Sequence, residues 1–378
     1  MIDRYPPFEL ERYFARHEFT AKFLLSSSDC ETWTAQDLLA MEKGAQEAWL
    51  SLPLGYSEAS GLPALREAIA ATYAGIHASE VLIHTGAEEA IFHFFHGLFG
   101  AGDHVIVHAP CYQSLRTLPL SVGAEVTLWQ AREEAGWALD LDDLRSALRP
   151  DTRAVVVNFP HNPTGFVMSA ADQASLVSLC RAHGLWLLSD EVYRGLELSP
   201  LDRLPAACDV YEKAVSLGVM SKSYGLAGLR VGWIATRDRT VREAMIRMKD
   251  YTTICTPSLC EHLALLAVKH RDRLHERNRS IIEANLSRLD DFFRLHPGVL
   301  AWRRPLSGPI AYPAYLGARP VDAFCDEVVR EAGVMLLPGS VYGEQTPNVR
   351  IGFGRKNLPE ALDALGQYLT LRSAGSGV

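Results

Sequence analysis

The amino-acid sequence predicts an α/β protein in two units. A large domain over residues 46–275 is expected to carry a mostly parallel seven-stranded sheet flanked by helices, with a small α+β domain built from both termini, residues 1–45 and 276–378. Two observations predict this division. Between residues 60 and 250, short β-branched or apolar runs alternate with helix-like segments, the pattern of a largely parallel sheet covered on both faces. Residues 1–45 do not join that alternation, and beyond a long helical stretch opening near Asp250 the chain reads as a smaller mixture of helix and strand.

In chain order, the pattern predicts a helix over 62–73, a strand over 81–84, a helix over 87–99 and strands over 104–108 and 125–128. A helix over 141–148, a strand over 154–158, a helix over 170–183 and strands over 186–189, 214–219 and 231–236 follow, then a helix over 239–250. Ligands of such sheets bind beyond the carboxyl ends of the strands, so those ends are where chemistry is expected. Only the tail, residues 373–378, is disordered by composition.

The 378 residues, 48% hydrophobic and 22% charged, are those of a soluble globular protein with a substantial core. A net charge of −8 supplies no basic field for phosphate backbones, so no nucleic-acid partner is expected. No apolar run approaches the ~20 residues that span a bilayer, and the first ten residues lack the apolar core of a signal peptide. Seven cysteines form no C-x-x-C pair, which fits reduced thiols and a cytoplasmic location.

Three segments carry chemistry. Asn158-Phe-Pro-His-Asn-Pro-Thr-Gly165 follows an apolar strand, and its prolines and glycine fix a tight loop that presents Asn162; an ordinary turn has the same composition. Leu185-Trp-Leu-Leu-Ser-Asp-Glu-Val-Tyr193 is a buried-strand pattern ending in Asp190, an acid costly to desolvate unless a cation or several donors meet it; a helix N-cap is the alternative. Lys222 follows the apolar run 214–219, at a strand's carboxyl end rather than on a solvated face. Desolvation and the nearby cation Arg230 favour its neutral amine, the form that attacks a carbonyl to make a Schiff base.

With Asn162, Asp190 and Lys222 in this order, each after its own strand, the chain resembles the fold-type I pyridoxal-phosphate (PLP) aminotransferases of class I/II over nearly its whole length. The resemblance rests on N-P-T-G, the D-x-x-Y spacing and the S-K-x-x-G-x-x-G-x-R-x-G run. It implies a PLP transferase fold and an enzyme that moves the amino group of an L-amino acid to a 2-oxo acid, through an internal aldimine on Lys222. Lys222 would also move the substrate's α-proton as base and acid. Asp190 would keep the pyridine nitrogen protonated, Asn162 and Tyr193 would donate to the ring's phenolate oxygen, and Tyr112 would stack on the ring. Backbone N–H groups of Gly86, Ala87 and Glu88 at a helix start would hold the phosphate, with Ser221 and Arg230 as side-chain donors. Tyr56 would reach the phosphate of a neighbouring subunit, which requires a homodimer with shared sites; simple packing is its other reading. Arg350, in Asn348-Val-Arg-Ile-Gly-Phe353, would grip the substrate carboxylate through two parallel bonds, with Arg355 as the competing choice.

The chain departs from the family at two points. Val219 stands where many relatives place a phosphate-binding serine. The run Leu25-Ser-Ser-Ser-Asp-Cys30 replaces a glycine-rich stretch, and Ser27 is the expected substrate contact within it unless the serines form a polar turn. That run also resembles the one in capreomycidine synthase-type enzymes, which cyclise an arginine derivative. A PLP-dependent cyclase or C–S lyase-like enzyme is therefore the alternative reaction, with a non-catalytic PLP-binding domain behind it. No metal is expected: His93 and His96 share a helix face without a third ligand at sensible spacing. Glycines 225, 228 and 232 precede a strand, unlike a dinucleotide-binding loop.

Overall fold

The computed structural model describes residues 4–343 and 346–375, with 373–375 as backbone only. Seven strands form the main sheet: β1 (Val81–His84), β2 (His104–Ala109), β3 (Glu125–Gln130), β4 (Thr152–Asn158), β5 (Trp186–Asp190), β6 (Ala214–Val219) and β7 (Gly232–Ala235). Their order across the sheet is β1-β7-β6-β5-β4-β2-β3, and only β7 runs antiparallel to its neighbours. Helices cover both faces, so β6 is buried at every residue, as its unbroken apolar run predicts.

The register fixes where function can sit. Asn158 pairs with Asp190 and Asp190 with Leu217, so the carboxyl ends of β4, β5 and β6 are level. The loops that follow them therefore emerge side by side. Between the strands, Ser169 accepts from the Asp172 N–H and Asp238 from the Val241 N–H, capping the helices Ala170–Ala182 and Arg239–Lys249 where these short polar side chains end the preceding loops.

The terminal segments build a second unit on the helix Arg271–Leu295. Short strands β8 (Leu300–Ala301) and β10 (Ala314–Tyr315) pair, while β11 (Leu337–Pro338), β12 (Val349–Gly352) and β9 (Ile310–Ala311) form an antiparallel sheet with β12 at its centre. The serine run lies along β12: the Gly352 N–H donates to Leu25 O and the Glu31 N–H to Gly354 O.

Several sequence expectations need correction. The expected boundary at 275/276 falls inside the continuous helix Arg271–Leu295, whose first buried residue, Leu274, packs with the large unit and whose Asn285 amide donates to Phe353 O just after β12 in the small one. Leu38 and Leu39 pack with Leu65, Ile69 and Leu263, so the last part of segment 1–45 belongs to the large unit. The helical stretch expected from Asp250 starts at Ser258, after a turn. The helix Leu358–Gly375 runs through residues expected to be disordered, and 376–378 lie outside the described residues. The helix Gln113–Ser121 was not foreseen, because Pro119 inside it and its polar residues hide the apolar period. The seven cysteines are free, and no described helix is long and apolar enough to cross a membrane.

Candidate active site

The loop after β4 is shaped by Asn158, whose amide donates to Asp190 O at 2.8 Å and accepts the Asn162 N–H at 2.7 Å. That clamp ties the loop to the end of β5. Asn162 is thereby held over the sheet edge, with its Oδ1 accepting from the Tyr342 hydroxyl at 3.0 Å and from Arg350 Nη1 at 3.3 Å. Two donors on the oxygen orient the amide, leaving its NH2 to face a ligand.

After β5, Asp190 is buried, and burial pushes its carboxyl up to about 7 against the opposing Val192 N–H and the Lys222 charge. Tyr193 is buried beside it, and its hydroxyl makes no formed hydrogen bond although Ser28 lies within electrostatic reach. After β6, Lys222 Nζ donates to Ser28 Oγ at 2.8 Å. Burial lowers the lysine's pKa, Asp29 opposes that shift and Arg350 adds to it.

The helix Ala87–Leu98 begins on Gly86, whose φ of +84° a side chain rarely adopts. A Cβ there would also meet Arg230 Nη2 at 2.6 Å, and one on Gly232 would meet the Gly86 carbonyl carbon at 2.6 Å. The guanidinium and the start of β7 therefore pack directly on the helix N-terminus. Arg230 donates to Ser221 Oγ at 3.3 Å, and the Thr85 hydroxyl nearby is buried without a partner. The Glu88 carboxylate accepts from the Ser114 hydroxyl, with Tyr112 and Arg230 also beside it.

Arg350, on β12 and only 1% exposed, donates twice to Ser26 O, at 3.0 and 2.8 Å, and to the Tyr342 hydroxyl at 2.8 Å. No carboxylate pairs with it among the described residues. Arg355 is instead gripped by Asp29, at 2.9 and 3.0 Å from its Nη2, so the competing arginine is already engaged.

Ser27, Ala87, Glu88, Tyr112, Asn162, Asp190, Tyr193, Ser221, Lys222, Arg230 and Arg350 all line one cavity of about 340 Å3. Gly86 abuts it through Arg230. Tyr56 is 90% exposed and lies outside it. A larger cavity of about 780 Å3 shares Val192 and Val219 as walls but none of these residues, so volume alone does not locate the chemistry. The sequence reading missed Asn158 and Tyr342, and it placed Ser28 only within a serine run that either lines the pocket or forms a polar turn. Asn158 carried a local signal, as the polar end of an apolar strand; Tyr342 acts across distant segments. His93 turns not to His96, which stacks on Phe92, but to His84 at 3.3 Å. With Glu89 they bring three possible metal ligands together, but these atoms already bond one another and Thr85 and Thr253.

This arrangement fits a phosphorylated pyridine aldehyde. It offers a neutralisable amine, a buried carboxyl awaiting a cation, an unpartnered phenol and an anion cradle of helix N-terminus and guanidinium. A PLP-dependent enzyme is the class that such a fold and site define. The sequence model of the aminotransferase class I and II family matches residues 21–365, and the chain belongs to that family. It is 32% identical to the capreomycidine synthase of Streptomyces vinaceus over 375 residues, 98% of this chain and 95% of that one. Its structure is similar to that of a PLP-dependent aminotransferase from Streptococcus suis (TM-score 0.91, 33% identity, 97% and 98% of the two chains covered). It is also similar to that of the PLP-dependent cyclase OrfR (TM-score 0.89, 30% identity, the same coverage).

Proposed function

We propose that this protein is an aminotransferase that transfers the amino group of an L-amino acid to a 2-oxo acid, working as a cytoplasmic homodimer. The observation that carries the reading is the convergence of Lys222, Asp190 and Arg350 on one cavity. When bound, the cofactor supplies an electrophilic carbon for amines and an electron-accepting ring. Lys222 holds it and, once released, takes the proton from the substrate α-carbon and returns it elsewhere, a task suited to an amine whose pKa burial has lowered. Asp190, ionised against a ring cation, stabilises that cation. Asn162 NH2 and the Tyr193 hydroxyl donate to the ring oxygen, Tyr112 packs on the ring, and Arg350 orients the α-carboxylate. Gly86, Ala87, Glu88, Ser221 and Arg230 hold the phosphate, Ser27 borders the substrate, and Tyr56 serves the partner's site.

A second reading, cyclisation or elimination on the same apparatus, is favoured by one observation: the serine run places a hydroxyl on Lys222. The likeness to capreomycidine synthase and OrfR over nearly the whole chain supports it. Single-turnover product analysis with a panel of L-amino acids separates the two. Release of a 2-oxo acid with conversion of the cofactor to its amine form is expected, and Lys222→Ala should lose the visible band and at least about a thousandfold in rate. A rearranged amino acid, or a 2-oxo acid released together with free ammonia while the cofactor stays in its aldehyde form, would overturn transamination in favour of the second reading.

A further inference from the structure

The larger cavity, of about 780 Å3, lies apart from the site described above and falls within the ~300–1,000 Å3 of small-molecule pockets. The segment 191–198 after β5, the first half of the helix Arg271–Leu295 and Trp233 of β7 bound it. Only Val192 and Val219 of its lining also border the cavity that holds Lys222.

Two glycines shape one wall. Gly218 in β6 lets the Trp233 indole lie against the strand, where any Cβ would overlap the ring. Gly195, at a φ of +97°, lets the His275 imidazole close on the loop, where a Cβ would come within 2.6 Å of its Nδ1. Tyr224 stands edge-on to both rings, with centroids 6.2 Å from Trp233 and 4.7 Å from His275. At the inner end the Tyr73 hydroxyl accepts from the Trp233 indole at 2.9 Å. The wall is thus a continuous run of rings.

The charged groups are unequally matched. Glu197 meets Arg203 at 3.0 Å. Buried Glu191 accepts from the Ala207 N–H and the Ser216 hydroxyl, at 2.8 and 2.9 Å, and Arg194 opposes the rise that burial gives its pKa. Glu276 and Glu283 are exposed to solvent. Arg279 has no acid partner among the described residues and donates only to Gly195 O, at 3.0 Å. One helical turn before it, His275 makes no hydrogen bond through either ring nitrogen among the described residues. Burial pushes this imidazole down to about 4, Arg279, Arg203 and Arg271 add to the shift, and the exposed Asp272 opposes it. The ring is therefore a neutral donor set among cations.

From this arrangement we infer that the cavity is a second ligand site, for a small flat acid whose carboxylate is held by the Arg279 guanidinium and the His275 N–H and whose body lies against Tyr224 and Trp233. A guanidinium matches a carboxylate through parallel N–H bonds, and a neutral imidazole adds a donor. Aromatic rings favour a flat apolar body. A cationic ligand would meet the three guanidinium groups around His275. The site is independent of the reaction performed at Lys222.

The test is calorimetric titration of the cofactor-loaded protein with benzoate, its neutral isostere benzamide, acetate and inorganic phosphate. Benzoate should bind about tenfold or more tightly than each of the others. Because Arg350 also suits a carboxylate, the titration is repeated on Arg350→Gln, in which benzoate should bind within about twofold of the wild type. Arg279→Gln and His275→Gln, made separately, should each weaken benzoate by about tenfold while the visible cofactor band and turnover stay as they were, which also shows that the variants are folded. Benzoate binding lost with Arg350→Gln, benzamide, acetate or phosphate binding as tightly as benzoate, or benzoate affinity unchanged in the folded Arg279 and His275 variants overturns the inference. Failure of benzoate to bind at all overturns it equally, and none of these outcomes bears on the transaminase reading.

Discussion

Lys222 Nζ and Ser28 Oγ lie 2.8 Å apart although 194 positions separate them in the chain. The hydroxyl accepts from the ammonium form and so supports it, against the burial that lowers the lysine's pKa. Ser28→Ala should keep the visible cofactor band, lower kcat by about tenfold and move the lysine-dependent limb of the pH–rate profile to lower pH. A profile identical to that of the wild type would show that the serine merely fills space.

Asp190 gives a stability prediction whose sign follows from its raised pKa. Without cofactor the folded chain keeps the Asp190 proton to about pH 7, whereas the unfolded chain releases it near ~3.9. Between those values the folded state binds more protons, so stability falls as pH rises, and the penalty is complete above pH 7. Asp190→Asn removes it and can keep the Val192 N–H bond. The cofactor-free variant should melt several degrees above the wild type at about pH 8 and equal it near pH 4, while holding the cofactor less tightly. A melting difference independent of pH would contradict the buried, protonated acid.

Arg350 donates to Ser26, Tyr342 and Asn162 yet meets no acid among the described residues. Arg350→Gln should raise KM for amino acids by about 10- to 100-fold, the worth of a charge-assisted contact. Primary amines without an α-carboxylate supply the control. If the substitution weakens them equally, the arginine acts by bracing the loop rather than by gripping the carboxylate.

Tyr56 is exposed in its own chain, and in the proposed dimer it would reach the partner's phosphate. Tyr56→Phe should loosen cofactor binding by about tenfold. Mixed with Lys222→Ala chains, it should regain tight binding at one site per hybrid dimer, because that site combines an intact lysine with an intact tyrosine from opposite chains. No recovery on mixing would place Tyr56 outside the site.

What the sequence made legible follows from locality. Asp190 closes one apolar run and Lys222 follows another by three positions, and a short apolar run bounded by turn residues reads as a buried strand whose exit is polar. The level strand ends then bring them together without further information. Ser28 had no comparable signal, since its importance arises where β12 lays the serine run against the sheet edge. The pairing of Asp29 with Arg355 and the bond from Tyr342 to Asn162 likewise join segments more than 100 positions apart. The unit boundary had no local signal for the opposite reason: the helix Arg271–Leu295 runs unbroken across the expected division at 275/276.

Because β7 returns antiparallel beside β6, Lys222 and Arg230 stand at the two ends of a single short connection. The proposed phosphate anchor and reactive amine would therefore be inherited as one cassette within the large unit. In the proposed function the contacts that would choose a substrate come from elsewhere, the serine run and Arg350 on β12. Mutations in those terminal segments can retune what is bound without loosening the cofactor, which gives this architecture room to acquire new substrates while its chemistry stays fixed.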